Sequence, residues 1–221
     1  MYVIGLTGNA GSGKSYVCKC AIDLTHCPVI DSDAVCRELM MPGQPVYEEV
    51  VRVFGEDYLA SDGTLDRAKL AAKVFADAGA LSLLNSLTHP ATIREIRRLL
   101  SKYEEEGYPV AFVESALADQ AGYRDFCDAL WIVIASEETR RRRLRLRGYS
   151  EERIDAVMSS QTPQSQLITP GMPMIVNDRD NNRYLILHQL QHYLDNAVGR
   201  AVWIAGKSPS IGCRQKEDMV Y

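Results

Sequence analysis

No stretch of this 221-residue chain approaches the roughly 20 consecutive apolar residues needed to cross a bilayer. The apolar start at Val3, Ile4 and Leu6 is broken by Gly5 and Gly8, so it fits neither a signal peptide nor an anchor. Six cysteines (Cys18, Cys20, Cys27, Cys36, Cys127 and Cys213) never take a paired CxxC spacing. That argues against a zinc site or redox motif and for free thiols in a reducing cytoplasm, where we expect the protein to work. Excess positive charge is also missing: the formal net charge is −4, so no whole-molecule field holds nucleic acid or an anionic membrane. Any anion must be caught locally. An N-K-x-D sequence for reading guanine and internal repeats are absent too.

What is present is ordinary for a folded protein. Apolar residues at 46% and charged residues at 24% argue against long disorder and, at this length, for one compact α/β unit with attachments. Short apolar runs at Tyr2 to Thr7, Cys27 to Asp31, Pro109 to Val113, Ala129 to Ala135 and Met174 to Asn177 read as strands of a parallel sheet. Between the first two lies a helical stretch, Lys14 to Leu24. Ser32 or Asp33 can cap a helix carrying Ala34 to Met41, closed by Pro42 and Gly43.

Pro45 to Tyr103 is helical in pattern, with Val46, Val50, Val51 and Phe54 on one stripe, Leu81, Leu84 and Leu87 on another, and a turn at Ser61 to Gly63. Glu137 to Gln161 is charged and helical, interrupted at Gly148. Tyr184 to Val198 reads as a last helix with Leu185, Leu187, Leu190 and Leu194 for its buried side. Gly206 to Tyr221 lacks periodicity and reads as a flexible tail.

Gly8-Asn9-Ala10-Gly11-Ser12-Gly13-Lys14-Ser15 fits G-x-x-x-x-G-K-[ST] between an apolar strand and a helix. The glycines let successive amides turn inward at a helix N-terminus and form an anion cup. Lys14 can reach the β- and γ-phosphates, and the Ser15 hydroxyl suits Mg²⁺. The competing possibility is a ligand-free turn capped by Ser12.

Asp31 and Asp33 end the second strand, where a doubly wound sheet brings acidic residues to its ligand edge. Asp33 can accept a hydroxyl proton, cap the next helix, or do both.

At this point the chain resembles the dephospho-coenzyme A kinase family. The resemblance runs through IGLTGNAGSGKS (Ile4 to Ser15), DSDAVCR (Asp31 to Arg37), Pro42-Gly43-x-Pro45, Phe54-Gly55, the run from Asp62-Gly63 through Asp66-Arg67 to Phe75, Leu84-Asn85, and His89-Pro90. Weaker similarity reaches Asn177, about four fifths of the chain.

The resemblance implies a P-loop NTPase-type α/β fold, a doubly wound parallel sheet with a helical acceptor-binding insertion and a helical lid. It implies phosphorylation of the ribose 3′-hydroxyl of dephospho-coenzyme A by ATP with Mg²⁺. It also implies Asp33, Lys14 and Arg143 as catalytic residues. ATP contacts then come from Asn9, Ala10, Gly11, Ser12, Gly13, Lys14, Ser15, Tyr16, Arg147 and Asn177, and a metal contact from Ser15. Asp31, Asp33, Arg37, Asn85 and His89 face the acceptor, although His89 can equally be a helix-start residue before Pro90.

Arg140, Arg141, Arg142, Arg143, Arg145 and Arg147 form a basic run in which Arg140, Arg143 and Arg147 share one helical face. A solvated surface or a small RNA-binding patch are alternatives to a lid that closes over ATP. Interleaved aromatics are missing, which disfavours nucleic acid.

Departures from the family pattern fall at Ser115, Val157, Leu167 and Gly171-Met172. Glu114 can supply a carboxylate acting on Mg²⁺ through water, Asp119 can stand in for the family's glutamate, and Arg153 can replace the lid contact missing at Val157.

The expected organisation is one kinase domain over 1–205. Its core spans about 1–42, 106–136 and 172–205, the insertion about 43–105 and the lid about 137–161, with a tail over 206–221. A monomer or small homo-oligomer with no nucleic-acid or membrane partner is expected. Rival functions are a related nucleoside or nucleotide kinase and a non-catalytic nucleotide-binding regulator.

Overall fold

The structure, a computed structural model, describes residues 1–115, 122–179 and 182–205. The proposed tail, Cys213 and Asp119 lie outside the described residues. Contacts group the chain into two compact units, Met1–Ile30 with the described residues from Leu100 onward, and Asp31–Leu99. The second unit thus takes in residues 31–42 along with most of the expected helical insertion. Among the described residues no helix is long and apolar enough to cross a membrane.

The first unit is built on five strands, β1 (Tyr2–Thr7), β2 (Val29–Asp31), β3 (Val110–Glu114), β4 (Ala129–Ile134) and β5 (Met174–Val176), in the order β2-β3-β1-β4-β5. β1 lies at the centre, pairing parallel with β3 in the register Ile4 to Phe112 and with β4 in the register Leu6 to Trp131. β4 continues parallel to β5. Ala111, Phe112 and Val113, like Trp131, Ile132 and Val133, are all fully buried, because strands covered on both faces must be apolar on both.

One face of the sheet packs on α1 (Lys14–Thr25), whose Val17, Cys20 and Ala21 meet Ile4, Leu6 and Phe112 in the main core. In chain order α2 (Ser32–Leu39), α3 (Pro45–Phe54), α4 (Arg67–Ala76) and α5 (Ala78–Glu105) come before the charged helical pair α6 (Glu137–Leu146) and α7 (Glu151–Ser160). A four-residue turn of helix, α8 (Gln164–Leu167), precedes β5, and α9 (Arg183–Ala197) and α10 (Arg200–Ala205) close the described chain.

On α9 the buried stripe is Ile186, Leu190 and Leu194 with Leu187 partly buried, and Leu185, expected inside, is half exposed. Spacing by four selects Ile186 as the first member of that stripe. α10 was not expected; Trp203 buries its ring in the same core and donates from its indole nitrogen to Asp195 at 2.8 Å.

α9 also reaches the outer side of β5 with two polar side chains. Gln189 accepts from Val176 N at 2.8 Å and donates to Val176 O at 3.2 Å, while the Tyr193 hydroxyl stands 3.3 Å from Met174 N and 3.1 Å from Met174 O.

In the second unit, α2 (Ser32–Leu39), α3 (Pro45–Phe54), α4 (Arg67–Ala76) and the greater part of α5 (Ala78–Glu105) surround a small core of Val46, Val50, Leu65, Leu70, Val74, Ala80 and Ala91. Leu84 and Leu87 pack against it, but Leu81, placed on the same stripe from the sequence, is 40% exposed. The helix start is also corrected: Asp31, not Ser32 or Asp33, caps α2, its Oδ1 accepting from Asp33 N at 2.9 Å and Ala34 N at 3.1 Å. α5 runs through Pro90 without a break, so His89 lies inside a helix and the helix-start alternative for it does not hold.

Candidate active site

The loop Gly8–Gly13 joins the carboxyl end of β1 to the N-terminus of α1, where helix amides and dipole favour an anion. Gly11 and Gly13 hold φ near +80° and +88°. A Cβ at Gly11 would meet the Arg140 carbonyl oxygen at 2.7 Å, and one at Gly13 would meet Asn177 Nδ2 at 2.2 Å, so only glycine fits either place. No side chain caps α1; Ser12 is buried, its N–H donating to Asn9 O at 3.1 Å. The turn is therefore not a Ser12-capped helix start. Lys14 Nζ donates to Gly8 O at 2.7 Å, folding the cation back across the loop.

The carbonyl side of the loop is held by polar side chains from distant elements. Asn177, at the end of β5, donates from Nδ2 to Ser12 O at 2.9 Å. Arg143 Nη1 donates to Gly11 O at 3.2 Å and Ser12 O at 3.1 Å, and its Nη2 approaches Asn177 Oδ1 at 3.4 Å. Asn182 Nδ2 adds a bond to Asn177 Oδ1 at 3.3 Å. Farther along the loop, Arg140 Nε donates to Ala10 O at 2.9 Å, and Ala10 N donates to Gln161 Oε1 at 3.0 Å.

These arginines reach the loop because α6 is fixed at its start. Ser136 caps it by accepting from Thr139 N, and Asp178 accepts from both Ser136 N at 2.8 Å and Ser136 Oγ at 2.6 Å. Those two donors hold the Asp178 carboxyl below the usual carboxylate range. Glu137 and Glu138 in the first turn of α6, with Arg143 and Arg145 in the last, suit its dipole.

The basic run is thus divided by role. Arg140 and Arg143 bind the loop, Arg141 pairs with Glu137 and Asp155, and Arg145 pairs with Glu151. Arg147 is the C-cap residue of α6 and is exposed. Arg153 stacks its guanidinium 3.9 Å above the Tyr149 ring, a contact within the charged helical pair.

Ser15, in the first turn of α1, donates from its hydroxyl to Glu114 Oε1 at 3.1 Å at the carboxyl end of β3. A hydroxyl and a carboxylate side by side form an all-oxygen set suited to a small hard cation. Tyr16 follows on α1 and is 37% exposed.

In the second unit Asp31 is half exposed and 3.7 Å from Arg37 Nη2. Because Asp31 supplies the cap, the carboxylate of Asp33, exposed in the first turn of α2, is not consumed by it. Asn85 and His89 lie four residues apart on α5 and so share a face. Burial lowers the His89 pKa below its ordinary value, favouring the uncharged ring.

Arg140 and Gln161 are the loop-binding residues that sequence reasoning did not single out. Spacing puts Arg140 on one helical face with Arg143 and Arg147 but assigns it no role of its own, and nothing local to Gln161 marks it.

A parallel sheet with a glycine loop closing on a helix N-terminus, Lys14 and Ser15 at that terminus and a carboxylate beside Ser15 define a P-loop kinase. The family model for dephospho-CoA kinase matches residues 2–182, and the chain belongs to that family. The dephospho-CoA kinase of Geobacter sulfurreducens is 37% identical over 180 residues, covering 80% of this chain and 90% of the relative. That of Corynebacterium diphtheriae is 44% identical over 153 residues, covering 69% and 76%. Among solved structures, TT1252 from Thermus thermophilus aligns with a TM-score of 0.77 at 30% identity, covering 90% of this chain and 98% of that one.

Proposed function

We propose that the chain transfers the γ-phosphoryl group of ATP to the 3′-hydroxyl of the ribose of dephospho-coenzyme A, giving coenzyme A and ADP. The observation that carries this reading is the phosphate loop itself, braced on its carbonyl side so that its remaining amides and Lys14 can turn toward phosphate. Loop amides and Lys14 grip the β- and γ-phosphates and balance the charge that spreads over the transferring group. Ser15 and Glu114 are the residues that would hold Mg²⁺, the hydroxyl directly and the carboxylate directly or through water. A cation held there would neutralise charge shared by the β- and γ-phosphates.

In this reading Asp33 aligns the ribose hydroxyl and accepts its proton, a role supported by the transfer of the capping duty to Asp31. Asp31, Arg37, Asn85 and His89 orient the acceptor, burial favouring the uncharged form of His89. Asn9 through Tyr16, with Asn177, form the nucleotide side. Arg143, which also braces the loop, stabilises charge on the transferring phosphate, and Arg147 contacts ATP. The chain is read as a cytoplasmic monomer or small homo-oligomer, and its net charge of −4 disfavours nucleic acid and an anionic membrane as partners.

The test is coupled ADP release with Mg²⁺ and ATP, comparing dephospho-coenzyme A with adenosine and with no acceptor. Release that requires dephospho-coenzyme A, with the product confirmed by mass, supports the reading. Release with adenosine alone reassigns the acceptor, and ATP binding without turnover makes the chain a regulator.

A further inference from the structure

Arg140, Gln161 and the peptide groups of Ala10 close a ring of hydrogen bonds. Arg140 Nε donates to Ala10 O at 2.9 Å, Arg140 Nη2 donates to Gln161 Oε1 at 2.9 Å, and Ala10 N donates to the same oxygen at 3.0 Å. Both polar groups of one loop residue are therefore held by a single side-chain pair. With two donors converging on it, the Gln161 atom must be its amide oxygen. Arg140 is only 5% exposed, and its main chain supplies the carbonyl that presses on Gly11.

The segment that carries Gln161 is fastened as firmly. Asn9 Nδ2 donates to Thr162 O at 2.9 Å, and Gln164 bonds both ways with the main chain at the end of β4, Nε2 to Ala135 O at 2.8 Å and Ala135 N to Oε1 at 3.2 Å. A glycine-rich loop has unusual freedom to lose. Its base is fixed by β1 and α1 and its carbonyl side at Ser12 by Asn177, but residues 9 and 10 depend on these bonds from 140 and 161–162.

We infer that Arg140 and Gln161 are positioning residues for phosphoryl transfer, holding the Ala10 peptide so that the rim of the phosphate loop keeps the shape that receives the transferring group. Neither needs to touch the nucleotide. The bond from Arg140 to Gln161 also links the loop to the point where α7 ends, so the rim is set from both limbs of the charged helical pair. Misplacement of a gripping group by about 1 Å costs on the order of a hundredfold in rate, which gives such a pair its leverage. The inference rests on the kinase reading above.

The experiment measures kcat, both KM values and the thermal unfolding midpoint for wild type, Gln161→Leu, Arg140→Met and Arg140→Lys, and for the double variant Gln161→Leu with Arg140→Met. Gln161→Leu, half-buried at the end of α7, keeps the fold testable if Arg140→Met does not fold. Each of the first two should lower kcat about tenfold, the scale of one charge-assisted hydrogen bond, with the KM for dephospho-coenzyme A within about twofold. Arg140→Lys, which still donates, should recover a large part of the loss. The double variant should be little worse than the worse single, since both act on one peptide.

A kcat in folded Gln161→Leu within about twofold of wild type overturns the inference, as does a Lys variant no better than Met, or losses that simply multiply. Wild-type turnover with the three acceptors decides the kinase reading separately, and the variants are read with whichever acceptor the wild type uses.

Discussion

Asn177 Nδ2 donates to the carbonyl of Ser12 at 2.9 Å, joining the last strand of the sheet to the back of the phosphate loop across 165 residues of chain. The same amide sits where a Gly13 side chain would have to go. Loop and brace therefore specify each other.

Asn177→Ala should weaken ATP binding about tenfold, because two loop carbonyls and Arg143 lose a shared partner. Gly13→Ala should weaken it further, combining a clash with a left-handed φ that costs on the order of 1–3 kcal/mol in other residues. Combining the two substitutions should relieve the clash and leave the backbone strain. Titration calorimetry with ATP reads all three, and equal binding in every variant would show a self-supporting loop.

Asp31 and Asp33 should separate cleanly. Asp31→Ala should lower stability by about 1 kcal/mol, the usual worth of an N-cap, whereas Asp33→Asn, which keeps that cap, should lower it less. Asp33→Asn should nevertheless reduce turnover by about 10²-fold or more with ATP affinity intact. Normal turnover in that variant would remove Asp33 from the chemistry.

Glu114→Gln keeps the size and a hydrogen-bond acceptor for Ser15 but removes a charge. Its kcat at saturating Mg²⁺ should fall less than its apparent Mg²⁺ affinity, with the affinity loss about tenfold or greater. A Mg²⁺ titration of initial rates measures both, and an unshifted midpoint would place the cation elsewhere.

Acid should destabilise the protein in part through His89. Its folded pKa lies below its unfolded value near 6.5, so between the two the unfolded chain binds more protons, and stability falls as pH drops through that window. His89→Gln should flatten the slope below about pH 6.5 and leave it unchanged above. Denaturation at a series of pH values decides this, and equal slopes in both proteins would assign the acid sensitivity to other groups.

The strands were legible because the central ones are covered on both faces and so appear as unbroken apolar runs such as Ala111 to Val113. The loop was legible because its chemistry is local, eight consecutive residues between a strand and a helix. What holds it was not. Arg140 and Gln161 stand 130 and 151 residues from Ala10, and their roles exist only once the sheet has brought the ends together.

The cap of α2 was misplaced for a different reason. Asp31 ends a strand and caps a helix at once, and propensity alone cannot choose between it and its neighbours. α10 is too short to show a period, and only the burial of Trp203 explains why it folds.

Gln189 and Tyr193 have a consequence beyond the stability of α9. Among the described residues β5 has β4 on one side and no further strand of the sheet on the other, and an uncovered strand margin is a template onto which another chain can add. Met174 and Val176 would give such an addition an apolar grip, being the exposed side chains of that strand. By occupying the outward amides and carbonyls of those same two residues, the glutamine and tyrosine leave an incoming strand no main-chain partners there, and the sheet is closed to addition along that margin.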